Sequence, residues 1–173
     1  MECVMLCGIP TSGKSTYVKK VKEHFLSDYV VLSTDNYIEE YAKRVGQTYN
    51  EVFDDVIPNA TRELELQLNM AKDMGKNIIW DQTNLSIKSR KNKLSKIPSY
   101  YRRGAVYFEV PLEEALERNK HREGKFIPES ILKRMYHQFK IPTIGEGFDF
   151  IENGMRTLDP LAHKDFKDLL DAL

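Results

Sequence analysis

The apolar positions of this chain fall into short unbroken runs, separated by longer stretches with the spacing of amphipathic helices. The runs predict strands over residues 3–7, 29–32, 77–80, 105–110 and 148–151. The stretches between them predict helices over residues 15–25, 35–44, 49–74, 86–95, 112–119 and 128–139, and a last amphipathic helix over 160–173. Within the longest stretch, Pro58 is expected to break the helix and Gly75 to end it.

Strands and helices therefore alternate, and the strands are continuously apolar instead of alternating between apolar and polar positions. This combination is typical of a parallel sheet covered by helices on both faces. The 173 residues, without a repeat or a linker, predict one domain over 1–173.

The sequence GIPTSGKST at residues 8–16 fits the phosphate-loop pattern G-x-x-x-x-G-K-[ST], and it lies between the first predicted strand and the first predicted helix. Glycines allow the backbone N–H groups to wrap around phosphate oxygens, and the helix start adds its positive dipole. The alternative is a glycine-rich turn that binds no ligand. The loop is expected to face solvent and to bind ATP or another nucleoside triphosphate with Mg²⁺, through Gly8, Pro10, Ser12, Gly13, Lys14, Ser15 and Thr16.

Two of these residues carry the expected chemistry. Lys14 is predicted to reach the β- and γ-phosphates, and the Ser15 hydroxyl to ligate magnesium. The pattern therefore predicts phosphoryl transfer.

A carboxylate follows each of the second and third predicted strands, at the sheet edge where ligands bind in such folds. Asp35 is interpreted as the general base for an acceptor hydroxyl, and its alternative role is a helix N-cap. Asp81 is interpreted as part of the magnesium site, and its alternative role is to form a turn.

A polar, arginine-bearing segment over residues 118–125 connects two predicted helices. Such a segment can close over a triphosphate, neutralise charge and exclude water. The alternative is a solvated connection. We place the lid at about residues 118–127 and predict a three-layer P-loop NTPase fold of the α/β class, with a mostly parallel sheet and a helical lid.

Other features are less specific. A basic cluster with adjacent tyrosines either guides a nucleic-acid strand or is a solvated face. Trp80 and the aromatic residues of segment 49–53 are interpreted as core, as are the cysteines Cys3 and Cys7, which suit a reducing cytosol. The basic cluster consists of Lys88, Arg90, Lys91, Lys93, Lys96, Arg102 and Arg103, with Tyr100 and Tyr101.

Charge and hydropathy narrow the choice of partners only slightly. Lys plus Arg and Asp plus Glu both number 26, so net charge neither favours nor disfavours nucleic acid. No signal peptide or membrane span is expected, since no apolar stretch approaches the roughly 20 residues that a span needs.

Residues 1–142 resemble the kinase domain of phage-type polynucleotide 5′-hydroxyl kinases, within the group of small P-loop kinases that includes zeta-toxin-like and nucleoside-kinase-like proteins. The motifs that carry the resemblance are the phosphate loop, Thr34–Tyr37, Thr83–Leu85, and the stretch from Val110–Pro111 through Arg118, Asn119 and Arg122 to Pro128 and Met135–Tyr136.

The resemblance implies that Lys14 and Ser15 hold phosphates and metal and that Asp35 is the base. It also implies that Arg122 clamps the triphosphate, with Arg118 nearby. The chain departs from the family at two positions. Ile38 stands where the family has an acceptor-phosphate arginine, and Gln82 stands where it has an aspartate.

Three hypotheses follow for the function. The first is a kinase of DNA or RNA 5′-hydroxyl ends. The second is a kinase of a small molecule, a nucleoside or a modified DNA base, which the isoleucine at position 38 favours. The third is a nucleotide-binding regulatory module without an acceptor, against which the presence of Asp35 argues.

Overall fold

The five strands form one fully parallel sheet, as the continuous apolar runs predict. The computed structural model describes residues 1–25 and 29–157, so the helix predicted over 160–173 lies outside the described residues. The strand order is β2-β3-β1-β4-β5, with every neighbouring pair parallel. The strands are β1 (Glu2–Cys7), β2 (Tyr29–Leu32), β3 (Asn77–Asp81), β4 (Arg102–Tyr107) and β5 (Phe150–Asn153).

Helices cover both faces of the sheet and complete a three-layer α/β fold. The helices are α1 (Lys14–Phe25), α2 (Thr34–Val45), α3 (Tyr49–Asp73), α4 (Ile87–Leu94), α5 (Leu112–Lys120), α6 (Glu129–Gln138) and α7 (Gly154–Thr157), with a 3₁₀ turn at Ile144–Glu146. None of the helices within the described ranges is long and apolar enough to span a membrane.

Alternate residues of β1 divide the core between the two faces. Cys3, Met5 and Cys7 pack with residues of α3 and α4 on one face, whereas Val4 and Leu6 pack with residues of α1 on the other. Both cysteines are buried and unpaired, and burial raises the pKa of each thiol to about 12. The prediction that they are core residues is confirmed.

The predicted break at Pro58 is wrong, because α3 runs without interruption from Tyr49 to Asp73. A proline inside a helix removes one hydrogen bond and crowds the preceding turn. Here Val56 and Ala60, on either side of Pro58, are buried against Ile38 of α2. This packing holds the helix together across the proline.

Two strand boundaries also differ from the prediction. β4 begins at Arg102 and ends at Tyr107, although Phe108 and Val110 beyond its end are buried. β5 likewise begins at Phe150, two residues later than expected. In both places buried apolar residues continue from the strand into the adjoining loop, so the apolar run does not mark the end of the strand.

The side chain of Arg90 is fully buried and joins α4 to the segment before β5. Its Nε and Nη2 each lie 2.7 Å from a carboxylate oxygen of Glu146. Its Nη1 donates to the carbonyls of Asn84, Leu85 and Lys140. A buried pair with all its donors satisfied becomes costly when one partner loses its charge.

We expect Glu146→Gln to lower the free energy of unfolding by about 2–3 kcal/mol, because it leaves the Arg90 charge buried without a counter-ion. For a chain of this size, thermal melting should then shift down by about 4–12 °C. Glu65→Gln is the matched control, since it removes the exposed partner of Lys96. Equal melting temperatures for the two variants would contradict a structural role for the buried pair.

Candidate active site

The phosphate loop connects β1 to α1 at the carboxyl edge of the sheet. A Cβ atom on Gly8 would lie 2.7 Å from Ser12 Oγ and 2.9 Å from the Phe108 carbonyl oxygen, so this position has room only for glycine. Gly13 has a φ of +106°, in the region that favours glycine. Both glycines of the motif are therefore required by the backbone path of the loop.

Lys14 is the first residue of α1, and its ammonium group lies inside the loop. The Nζ atom donates to the carbonyl oxygens of Gly8 at 2.8 Å and Ile9 at 2.7 Å, and only 8% of the residue is exposed. The loop is expected to face solvent and does line the open cleft, but the Lys14 side chain within it is buried. Burial lowers the pKa of Lys14 to about 8, although the carboxylates of Asp81 and Asp35 oppose this shift.

Asp35 lies in the first turn of α2, one residue inside the helix. The N-cap is Ser33, so the alternative interpretation of Asp35 as the cap is wrong. Its carboxylate instead accepts hydrogen bonds from Tyr49 Oη at 2.9 Å and from Lys125 Nζ at 2.8 Å. Burial would raise the pKa of Asp35, but the charge and hydrogen bond of Lys125, with the Tyr49 hydrogen bond, outweigh it and hold the pKa below its ordinary value.

Asp81 is the last residue of β3, which excludes the interpretation that it only forms a turn. Burial raises the pKa of Asp81 above its ordinary value. The Lys14 ammonium opposes this shift, and the Asp35 carboxylate adds to it. The three charged groups thus influence one another across the ends of β1, β2 and β3.

Ser15 and Asp81 both line the cleft beside the phosphate loop. A serine hydroxyl and a carboxylate are hard oxygen donors of the kind that Mg²⁺ prefers, and Mg²⁺ completes its shell with water and substrate phosphates. The described residues contain no group of three or more His, Cys, Asp or Glu side chains that could hold a metal alone. The donor set fits a magnesium ion that arrives with a triphosphate.

The predicted lid contributes two arginines to the same cleft. Arg118, near the end of α5, donates from Nη1 to the Thr11 carbonyl of the phosphate loop at 2.9 Å and pairs with Glu114. Arg122 follows α5, and its buried Nη1 has no hydrogen-bond partner among the described residues. Its charge contributes to the pKa shifts of Lys14 and Asp35.

One open cleft of about 1860 Å³ therefore collects the predicted site residues. The residues that it brings together are Pro10, Ser12, Gly13, Lys14, Ser15, Thr16, Asp35, Asp81, Arg118 and Arg122. Gly8 lies behind the loop, where its N–H donates to the Thr83 carbonyl at 2.9 Å.

Two residues of this cleft are not among those predicted for the site. Tyr49 packs in the cluster between α2 and α3, as the core interpretation expects, yet its hydroxyl binds Asp35. Lys125 crosses from the lid to Asp35 and also pairs with Glu39. Neither contact could be found from periodicity, because each joins residues that are 14 or 90 positions apart.

The basic cluster around α4 does not line this cleft. Arg102 lies opposite Glu2 in the register of β4 against β1. Glu2 is at the start of β1, about 20 Å from Gly8 at a rise of ~3.3 Å per strand residue. Arg90 is buried in its pair with Glu146. Lys93 lies 5.5 Å from the centre of the Trp80 ring, and burial lowers its pKa to about 8. Arg102, Arg90 and Lys93 therefore do not support the interpretation of this cluster as a guide for nucleic acid.

A sequence model of a family described as an AAA domain matches residues 3–142, a range that contains the phosphate loop, Asp35, Asp81 and the lid. The chain belongs to this AAA domain family. Proteins similar to this chain include P-loop kinases, which confirms the prediction of a nucleotide-binding P-loop kinase domain.

Three relatives show how widely acceptors vary among similar proteins. The chain is 25% identical to the L-seryl-tRNA(Sec) kinase of Methanococcus maripaludis, over 98% of this chain and 64% of that protein. It is 30% identical to shikimate kinase of Clostridium botulinum, over 83% of this chain and 86% of that protein. It is 26% identical to the bifunctional polynucleotide phosphatase/kinase of Schizosaccharomyces pombe, over 87% of this chain and 33% of that protein.

The chain thus spans less than two thirds of the first of these relatives and about one third of the last. Among solved structures, a protein of Chloroflexus aurantiacus described as a candidate kinase matches with a TM-score of 0.69 and 16% identity, over 99% of this chain and 97% of that one. A chain of a Pnkp1/Rnl/Hen1 complex matches with a TM-score of 0.53 and 24% identity, over 68% and 38%. Both likenesses concern the fold.

Proposed function

We propose that this protein transfers the γ-phosphate of ATP, or of another nucleoside triphosphate, to an alcohol hydroxyl. The acceptor oxygen attacks the γ-phosphorus, the bond from that phosphorus to the β,γ-bridging oxygen breaks, and the nucleoside diphosphate leaves with the electron pair. The proton of the acceptor hydroxyl passes to the Asp35 carboxylate.

The observation that carries this proposal is the position of Asp35 opposite the phosphate loop. Its carboxylate and the Lys14 ammonium line the same cleft, and the negative charge of Asp35 opposes the lowering of the Lys14 pKa. A nucleotide switch without an acceptor has no need of a half-exposed, ionised carboxylate in the cleft beside the phosphate loop. The arrangement therefore favours transfer to a hydroxyl over regulated hydrolysis.

The other side chains of the cleft have matching roles in the proposal. Lys14 binds the β- and γ-phosphates, and Arg122, with Arg118 beside it, places a guanidinium fork on the transferring group. Ser15 and Asp81 would hold Mg²⁺, which supplies charge neutralisation to the phosphates when it is bound.

Two classes of acceptor remain, and the cleft wall beside Asp35 favours a small uncharged alcohol. Ile38 stands where the phage-type polynucleotide kinases have an acceptor-phosphate arginine. It is fully buried and cannot contact an acceptor. Glu39 and Asp54 add acidic side chains to the lining of the cleft, which disfavours a phosphate on the acceptor. A polynucleotide 5′-hydroxyl is the second candidate. The yeast polynucleotide phosphatase/kinase relative supports it, as do Lys19, Lys22 and Arg134 in the cleft.

Labelled-phosphate transfer to a panel of acceptors tests both classes. The panel contains a 5′-hydroxyl oligonucleotide, nucleosides, simple sugars and cyclic polyols, with an assay that lacks acceptor as the blank. If a polynucleotide is the acceptor, its binding should weaken steeply with salt, whereas binding of a neutral alcohol should change little. Slow hydrolysis that no acceptor accelerates would overturn the kinase proposal and leave the regulatory module.

The lid arginine gives a graded test of the clamp. We expect Arg122→Ala to reduce transfer by about 10- to 100-fold, somewhat less than removal of a sole transition-state donor, because Arg118 remains nearby. Arg122→Lys should recover only part of the activity, since an ammonium group cannot bind phosphate oxygens bidentately. Equal rates in both variants and the wild type would mean that this segment is a simple connector.

A further inference from the structure

The second half of the lid is fixed to the start of α3. The Asn50 backbone N–H donates to the Gly124 carbonyl at 3.0 Å, and Asn50 Nδ2 donates to the Phe126 carbonyl at 2.7 Å. A Cβ atom on Gly124 would lie 3.1 Å from Thr48 Cβ, so the two segments are in close contact. Lys125 is therefore delivered to the cleft by a docked stretch of backbone.

The Lys125 ammonium binds the proposed base and two groups beside it. It lies 2.8 Å from Asp35 Oδ2, pairs with Glu39, and lies 4.4 Å from the centre of the Tyr49 ring. Its side chain is 19% exposed, whereas those of Asp35 and Glu39 are about half exposed. The tyrosine hydroxyl binds the other oxygen, Asp35 Oδ1. Both carboxylate oxygens are thus fixed, one by the lid and one by α3.

We propose that Lys125 is a positioning residue that orients the Asp35 carboxylate for the acceptor hydroxyl and makes this orientation depend on a closed lid. The inference rests on the proposed role of Asp35 and goes beyond it by assigning the residue that controls it. Each carboxylate oxygen offers two lone pairs. Lys125 and Tyr49 occupy one on each oxygen, which leaves a lone pair on each for the acceptor.

The charged groups that face Asp35 come from every element around it. Lys125 and Arg122 belong to the lid, Lys14 to the phosphate loop, Asp81 to β3, Glu39 to α2 and Tyr49 to α3. Removing Lys125 leaves the half-exposed Asp35 carboxylate near the negative charges of Asp81 and Glu39 with one cation fewer. Its pKa must then rise, so that the ionised form is lost at a higher pH than in the wild type.

A carbon-13 NMR titration of the Asp35 side-chain carboxyl in the full chain tests this directly. We expect Lys125→Met to raise the Asp35 pKa by about one unit, the low end of the effect of a neighbouring charge. Lys125→Arg, which keeps the charge, should restore most of the difference. Lys133→Met is the matched control, because Lys133 lies on α6 and forms an exposed ion pair with Glu129 of the same helix.

Amide hydrogen exchange supplies a second measurement on the same variants. Because Lys125 holds the lid to α2, Lys125→Met should speed exchange at the Asn50 N–H by roughly five- to tenfold. In the transfer assay it should lower kcat with little change in KM for the nucleotide, and the acid limb of the pH profile should move upward. An unchanged Asp35 titration or unchanged Asn50 exchange in Lys125→Met would overturn the proposal.

The NMR and exchange measurements need no acceptor, so they also separate the two proposals. If the titration shifts as expected but no acceptor is phosphorylated, the contact is real and the kinase proposal fails. If transfer is active while the titration stays unchanged, the kinase proposal stands and the role of Lys125 is refuted. The conservative arginine variant guards against misfolding, since it preserves the ion pairs.

Discussion

Replacement of Lys14 by methionine should reduce phosphoryl transfer by about 100- to 1000-fold, as expected when a cation aimed at the transferring phosphate is removed. Methionine keeps the length of the side chain and removes only the charge and the donor hydrogens. The loss should appear mainly in kcat, because the interaction strengthens as charge develops on the phosphoryl oxygens.

The same variant should fold normally. The structure holds the Lys14 ammonium in a buried position, so the fold bears a cost for desolvating it, as the lowered pKa indicates. Methionine removes this cost and also the two hydrogen bonds to the Gly8 and Ile9 carbonyls. These effects oppose each other, so we expect a change within about 1 kcal/mol, or ~4 °C in melting temperature.

Single-turnover transfer and thermal melting, measured on Lys14→Met and on the surface control Lys133→Met, decide this assignment. The control should behave as the wild type in both assays. Activity within a few-fold of the wild type in Lys14→Met would remove the lysine from the mechanism, and a collapse of the melting transition would make its activity loss uninterpretable as chemistry.

The sheet and the position of the cleft could be predicted because they depend on local signals. A continuous apolar run identifies a buried strand, and parallel strands bring their carboxyl ends to one edge. The loop after β1, Asp35 after β2 and Asp81 at the end of β3 could therefore be placed together from the sequence. The apolar run Tyr29–Leu32 has the same bounds as β2, because a polar residue flanks it on each side.

The features that sequence could not supply depend on contacts between distant residues. Pro58 stays inside α3 because α2 packs against the helix. From the sequence, Arg90 is one of several basic residues of an exposed helix face. Its burial depends on Glu146, which is 56 residues away in the chain. The contact of Lys125 with Asp35 depends on how the lid backbone crosses the cleft, which the spacing of apolar residues does not predict. In each case tertiary packing, and not local preference, decides where the side chain lies.

Asp35→Asn is expected to reduce transfer to the acceptor by about 100- to 10,000-fold, the range for loss of a general base, while nucleotide affinity stays within a few-fold. Asparagine has nearly the same shape and can still accept a hydrogen bond from Tyr49. It has no charge for Lys125 to bind and no carboxylate to take the acceptor proton. The variant therefore removes two things at once, the base and one ion pair of the lid.

Comparison with Lys125→Met separates these two losses. Both variants break the ion pair between Lys125 and Asp35, and Lys125→Met also breaks the pair with Glu39. Only Asp35→Asn removes the proton acceptor, so its single-turnover rate should fall well below that of Lys125→Met. Calorimetric titration with a non-hydrolysable triphosphate analogue should give similar affinities for the wild type and both variants, because Asp35 acts on the acceptor and not on nucleotide binding. Transfer by Asp35→Asn at the wild-type rate would exclude Asp35 as the base. If both variants were equally slow, Asp35 would act through the closed lid alone, and the proton of the acceptor would have to leave by another route, such as the γ-phosphate itself.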